Sequence, residues 1–190
     1  MTMCMSMTTL EPTTTLVPIS TRHDHGAAGS RFRRPAELSA RDTRTHTVVE
    51  SPIGPLILTA CGSRLTGVYM SDHAHAPAGL ALGRRTVDGF DQVTQQLEQY
   101  FAGDRTRFDV PQCAEGTGFQ RAVWQLLSTI PYGRTWTYTQ AAVALGRPDR
   151  LRAVASAIGR NPLPVLVPGH RVVGAGGALT GFAGGLGRKR

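Results

Sequence analysis

Six apolar residues between Phe119 and Ile130 constrain this chain more than any other feature. Phe119, Ala122, Val123, Leu126, Leu127 and Ile130 fall at i, i+3, i+4, i+7, i+8 and i+11, which places them on one face of an α-helix. A one-sided helix is marginal alone and must lay that face on a partner. The flanking sequence must therefore supply the rest of a core. Pro131-Tyr132-Gly133 stops the helix. Thr137 and Gln140 then have the spacing of a capping box, opening a short helix, TYTQAAVAL, that Gly146 closes. Asp149 is expected to cap a further helix, RLRAVASAIG. Two short helices across a tight glycine-containing turn form a helix-turn-helix.

Upstream the period changes. THTVVE, PLILTAC and RLTGVYM are short runs rich in β-branched residues, separated by Ser51-Pro52-Ile53-Gly54 and Gly62-Ser63. They read as a meander of hairpins. Residues 71–86 read as a loop. VDGFDQVTQQLEQYFAG returns to helical spacing, with Phe90, Val93, Leu97 and Tyr100/Phe101 on one face and Gly103 at its end. Residues 103–116 read as a linker. Residues 1–45, rich in Thr, Pro, Ser, Gly and Arg, have no sustained period and are expected to form a disordered extension, with a nonspecific basic stretch at Arg31, Arg33 and Arg34. The expected organisation is thus an extension over 1–45, an α/β domain over 46–112 and a mostly α domain over 113–190.

Charge separates the two halves. Residues 48–115 carry five Arg and eight acids, whereas residues 116–190 carry nine Arg, one Lys and a single acid, Asp149. Arginine bias can follow from GC-rich coding, but coding bias does not remove the acids. The basic half is expected to meet a polyanion, which for a helix-turn-helix means DNA. No apolar run reaches the 18 residues or so that a membrane span needs, and the N-terminus lacks a secretory pattern. The three cysteines, Cys4, Cys61 and Cys113, are odd in number and far apart, as suits a reducing cytoplasm. Cys4 with His23 and His25 lacks metal-ligand spacing. No metal, cofactor or membrane partner is expected, and a monomer is.

Residues 161–173, NPLPVLVPGHRVV, bring a histidine and an arginine to the end of an apolar run, which is how a reactive group is usually presented. The residue before His170 is Gly169, which has no side chain. Seven glycines between Gly174 and Gly187 follow, and their backbone freedom suits a loop wall around a pocket.

GTGFQRAVWQLLSTIPYGRTWTYTQAA, LRAVASAIGRNP and VPGHRVVGAGGALTGFAGGLGRKR together resemble the O6-alkylguanine-DNA alkyltransferases, the suicidal methylguanine repair proteins. SPIGPLILTACGSRLTGVYM resembles their N-terminal domain. The resemblance covers about residues 46–190, and its PxHRVVG…GGLxRK pattern is highly specific. It implies a ribonuclease-H-like α/β N-terminal domain and a helix-turn-helix C-terminal domain. It also implies minor-groove binding of double-stranded DNA, with an alkylated guanine flipped into a pocket.

By position, the resemblance makes Arg152 the side chain that fills the vacated stack, with Ala153 and Arg150 beside it on the DNA. Tyr138 aligns with the tyrosine that rotates the phosphate and contacts the flipped base. Asn161 aligns with the asparagine that ties the helix-turn-helix to the active-site loop. His170 aligns with the histidine that removes the thiol proton through water, and Arg171 with a structural arginine beneath the loop. Pro168, Val172, Phe182 and Ala183 are implied as pocket residues.

The departures bear on activity. Gly169 stands where the family has its acceptor cysteine, and only a thiolate supplies that nucleophile. The glutamate that orients the histidine would follow the Arg188-Lys189 pair, where this sequence ends at Arg190. Phe182 stands for a tyrosine, Leu151 for a small residue of the recognition helix, and Arg134 for a common acidic residue. Three readings of Gly169 remain. The chain is a lesion-binding, alkyltransferase-like protein that recruits a repair partner. It is an engineered inactive form of a methyltransferase. Or its scaffold is turned to a small molecule, with His170 and Tyr138 as acid and base in a lyase- or cyclase-type reaction. The first is favoured, and Leu151 and the lack of the C-terminal glutamate argue against the second.

Overall fold

The computed structural model describes residues 43–77 and 79–189. The expected N-terminal extension, including Arg31, Arg33, Arg34, Cys4, His23 and His25, lies outside the described residues. Three strands, β1 (Arg44–Val49), β2 (Leu56–Cys61) and β3 (Arg64–Met70), form the expected meander. β1 pairs antiparallel with β2 in a register that sets Val49 against Leu56, and β2 pairs antiparallel with β3 across Gly62-Ser63.

A fourth strand interrupts the stretch expected to be loop. β4 (Arg84–Arg85) pairs parallel with β1, giving the sheet order β3-β2-β1-β4. Two exposed arginines carry no alternation, so periodicity could not show this strand. What permits it is Gly83, at φ 77°. A Cβ there would lie 2.1 Å from the Arg44 carbonyl oxygen, so only glycine allows this approach.

Helix α1 (Asp91–Ala102) follows and ends at Gly103, whose left-handed backbone (φ 89°) lets its N–H reach the Gln99 and Tyr100 carbonyls. Phe90, Val93 and Leu97 bury their side chains in the core that holds Leu56, Leu58 and Val68 of the sheet. The segment expected to be a linker is laid along the sheet rather than left free. Gln96 accepts from the Asp109 N–H at 2.8 Å and donates to the Asp109 carbonyl at 2.9 Å. The Leu65 N–H donates to the Pro111 carbonyl at 2.9 Å, and the Leu65 carbonyl accepts from the Cys113 N–H at 2.8 Å.

The C-terminal half contains α2 (Gly118–Leu127), α3 (Tyr138–Ala144) and α4 (Leu151–Gly159). Both α2 and α3 open on capping boxes. Thr137 and Gln140 form the expected one, and Thr117 and Gln120 form a second with the same spacing that the sequence reading did not single out. Asp149 does not cap α4. Pro148 starts a short 3-10 turn over Pro148–Arg150 that absorbs Asp149, so Arg150 holds the cap position and makes no side-chain cap bond. The Trp124 indole N–H donates to the Ala157 carbonyl at 2.8 Å and locks α2 to α4. A two-residue parallel pair, β5 (Trp136–Thr137) with β6 (Val172–Val173), brings the start of α3 beside the histidine-bearing segment. Among the described residues no helix is long and apolar enough to cross a membrane.

Candidate functional site

The segment after α4 turns on Asn161, whose side chain is only 4% exposed. Its Nδ2 donates to the Val167 carbonyl at 2.9 Å, and its Oδ1 accepts from the Leu163 N–H at 3.0 Å. These two bonds fold residues 161–167 back beneath the helix end and set Gly169 in a 3-10 turn over Gly169–Arg171. Gly169 is buried, and its backbone needs no left-handed angle. A Cβ built there would sit 3.5 Å from Asn161 Nδ2 and 3.7 Å from Ile158 Cγ2, ordinary contacts. Neither φ nor space therefore requires glycine here.

His170 follows, half-buried. Burial, reinforced by the nearby cations Arg171 and Lys189, lowers its pKa to about 4. It is neutral at pH 7 and can accept a proton only at considerable cost. No hydrogen bond from a described residue fixes either ring nitrogen. Arg171 faces the other way, donating to the Ile130 carbonyl at 2.9 Å and, more weakly, to the Tyr100 hydroxyl at 3.4 Å. Its guanidinium also covers the Tyr132 ring, 5.3 Å from the centroid. It thus braces the turn from below.

Tyr138 opens α3 and points at the glycine-rich stretch. Its hydroxyl donates to the Thr180 carbonyl at 3.0 Å, with the Gly181 carbonyl at 3.2 Å. Burial raises its pKa. Lys189 completes this cluster. Although it is charged and near the end of the described residues, it is only 4% exposed. Its ammonium donates to the Thr180 carbonyl, to the Gly181 carbonyl at 3.3 Å and to the Tyr138 hydroxyl at 3.5 Å. Desolvation lowers its pKa. Arg188 ties the same segment to the sheet domain, donating to the Ile53 and Gly184 carbonyls at 2.8 Å each and pairing with Asp72 at 2.5 Å.

A cleft of about 520 Å³ opens beside Tyr138, and Asn161, Gly169 and His170 are not among the residues that line it. Tyr138, Leu151, Arg152, Ala155 and Gly159 line one side, and Thr180, Gly181, Phe182 and Ala183 the other. Of the residues expected around a pocket, Phe182 and Ala183 are in its wall. Val172 is not, because it is fully buried in the core. Pro168 borders a separate cavity of about 370 Å³ beside Tyr100 and Arg171. Arg150 and Ala153 are exposed at the start of α4 but do not line the cleft. Lys189, Ala74 and His75 are site residues that sequence reasoning missed. Nothing in the spacing of a terminal lysine or of a loop histidine marks either one.

The cysteines lie elsewhere. Cys61 ends β2, half-buried, with its sulfur 3.4 Å from the Thr43 hydroxyl, and Cys113 is exposed after the strap along β3. The atoms nearest to a Cβ at position 169 belong to Asn161 and Ile158.

Comparison with known proteins places this arrangement. Residues 45–112 match the family model of the 6-O-methylguanine DNA methyltransferase ribonuclease-like domain, and residues 118–190 that of the 6-O-methylguanine DNA methyltransferase DNA binding domain. The methylated-DNA–protein-cysteine methyltransferase of Mycobacterium tuberculosis is 45% identical over 147 residues, covering 76% of this chain and 87% of the relative. The constitutive methylated-DNA–protein-cysteine methyltransferase of Bacillus subtilis is 39% identical over 142 residues, covering 73% and 86%. The solved structure of Mycobacterium tuberculosis OGT in complex with DNA superposes with a TM-score of 0.73 at 44% identity, over 77% of this chain and 88% of that one. The enzyme from Pyrococcus kodakaraensis, at 21% identity and a TM-score of 0.57 over 77% and 94%, shares the fold.

Proposed function

The chain belongs to the 6-O-methylguanine DNA methyltransferase family, and from that premise we propose that it recognises O6-alkylated guanine in duplex DNA without accepting the alkyl group itself. The DNA complex of the similar Mycobacterium tuberculosis protein and the strongly basic 116–190 half support the DNA part of this reading. In it, the exposed start of α4 meets the minor groove, where Arg152 fills the space left by a flipped base. The base enters the cleft between Arg152, Tyr138 and Phe182. A protein that marks a lesion without reacting suits recruitment of a repair partner.

One observation supports the second half: Gly169, which the sequence resemblance sets at the acceptor position of the family, has no side chain, and neither its φ nor the space around it calls for glycine. Alkyl transfer forms a sulfur–carbon bond as the O6–carbon bond breaks, and guanine leaves with a proton. Neither Gly169 nor its neighbours Asn161 and Ile158 offers a thiolate. His170 is present and neutral, but it has no thiol to deprotonate. Leu151, 40% exposed at the start of α4, adds bulk to a surface that must come close to the groove. Nothing favours acid–base work by Tyr138 and His170 on a small molecule, since the Tyr138 hydroxyl is already given to two carbonyls.

The test has two arms. After incubation with O6-methylguanine duplex, intact-mass analysis of the protein should show no added methyl group. A stoichiometric methyl adduct on any cysteine would sink the proposal. Gly169→Cys should then label with O6-benzylguanine in a slow single turnover, because a side chain fits at this position and His170 lies next to it. A folded Gly169→Cys protein that never labels would mean that no alkylguanine reaches position 169, and, with no preference for O6-methylguanine duplex in binding, the function would have to be sought in another ligand.

A further inference from the structure

The cleft is walled from both domains. Ala74 and His75, in the stretch after β3, line it together with Tyr138, Arg152 and Phe182. That stretch is held firmly. The His73 N–H donates to the Met70 carbonyl at 3.0 Å, the Ala76 N–H to the His73 carbonyl at 3.0 Å, and the His75 N–H to His73 Nδ1 at 3.2 Å. The Ala74 N–H donates to the Ala183 carbonyl at 3.1 Å, which joins the stretch to the opposite wall. His73 itself is buried, its ring edge-on to Tyr69 at 5.3 Å. His73 is thus the anchor, and it sets His75 on the edge that this cleft shares with two neighbouring cavities beside Tyr69 and Glu115.

The imidazole of His75 is one of few side-chain hydrogen-bonding groups in the wall, with the Arg152 guanidinium and the Thr180 hydroxyl. Leu151, Ala155, Phe182 and Ala183 are apolar, and the Tyr138 hydroxyl is committed to the Thr180 and Gly181 carbonyls. Among the described residues no hydrogen bond engages a ring nitrogen of His75. A neutral imidazole offers one donor and one acceptor. Alkylation at O6 removes the N1 hydrogen of guanine and leaves N1 an acceptor, to which one imidazole N–H can donate, whereas guanine presents an N1–H donor there. We infer that His75, carried by the sheet domain, is a ligand-contacting residue of the cleft that hydrogen-bonds the alkylated purine and contributes to its selection. The inference rests on the reading of the cleft as an alkylguanine pocket.

Fluorescence anisotropy tests it with two duplexes that differ at one position, O6-methylguanine or guanine, using wild type, His75→Ala and His75→Gln. His75 is exposed, so both variants should fold, and matched thermal midpoints check this. Wild type should prefer the lesion. His75→Ala should lower that preference about five-fold, the size of one neutral hydrogen bond, while binding guanine duplex as before. His75→Gln, which keeps a donor and an acceptor, should retain most of the preference. If His75→Ala keeps the wild-type preference, or weakens both duplexes equally, or if His75→Gln falls as far as His75→Ala, the inference is overturned while the lesion-binding reading stands. A wild-type protein without any lesion preference overturns that reading, and the assignment of His75 falls with it.

Discussion

Residues 161–171 and the glycine-rich residues 174–187 follow each other in sequence, yet they are held in opposite ways. The first segment is held from within. Asn161 makes two buried side-chain bonds, Val167 and Gly169 close tight backbone turns at 2.8 Å each, and most of the segment is buried. It even keeps Val165 at φ 75°, an unfavourable angle for a β-branched residue. The second segment has few bonds of its own and is largely exposed. It is held from outside by Tyr138, Arg188 and Lys189, whose donors reach its carbonyls. A segment that must present one group in one place gains from buried neutral bonds, which resist salt and solvent. A wall that must fit a ligand gains from glycine backbone under a few external clamps.

The largest expected effect tests the inner scaffold. Asn161→Ala leaves the Leu163 N–H buried without a partner, at roughly 1–3 kcal/mol, and takes from the Val167 carbonyl one of its two donors, at about 1 kcal/mol, since the Gly169 N–H remains. Urea denaturation should show a loss of about 3 kcal/mol. A loss below about 1 kcal/mol would mean that the packing of Leu163, Val165 and Val167 holds the segment, and the contrast between the two segments would collapse.

His170 sharpens the comparison through pH. Its folded pKa, near 4, lies below the ordinary histidine value, so the unfolded chain takes up a proton more readily. Its contribution is complete above about pH 6.5 and is lost as the pH falls toward 4, amounting to about 3 kcal/mol at most. His73, whose pKa is also lowered, chiefly by burial, acts in the same sense. The decisive quantity is therefore the difference between wild type and His170→Gln. Urea midpoints measured from pH 7.5 to 4.5 should fall less in the variant. Parallel curves would show that His170 is not desolvated in the way its surroundings imply.

Much of this architecture was legible because it rests on repeated local signals. The β-branched runs of β1–β3 and the apolar faces of α1 and α2 each involve several residues that signal the same element. The site divides differently. Asn161, His170 and Tyr138 were open to motif resemblance, since each sits at a marked turn or helix start. β4, β5 and β6 could not, because two-residue strands have no period. Asp149 misled because Pro148 diverts the chain into a turn one residue early. The burial of Lys189 and the position of His75 arise only when the C-terminal segment and the stretch after β3 close on each other, and no local pattern encodes a meeting of such distant residues.

The smallest expected effect concerns the outer clamp. Lys189→Met keeps the length and apolar stem of the side chain but removes the donor that reaches the Thr180 and Gly181 carbonyls and the Tyr138 hydroxyl. The Thr180 carbonyl keeps its bond from Tyr138, and the segment around it is exposed, so water can replace what the ammonium gave. Removal of a desolvated cation offsets part of the loss. Global stability should therefore change by less than about 1 kcal/mol, far less than for Asn161→Ala. The local effect should be plain. Amide exchange at residues 176–186 should accelerate while exchange at residues 161–169 stays as in wild type, because only the outer clamp is lost. Faster exchange in both segments would show that the two are one cooperative unit, and that Lys189 supports the scaffold around His170 as well as the wall beside it.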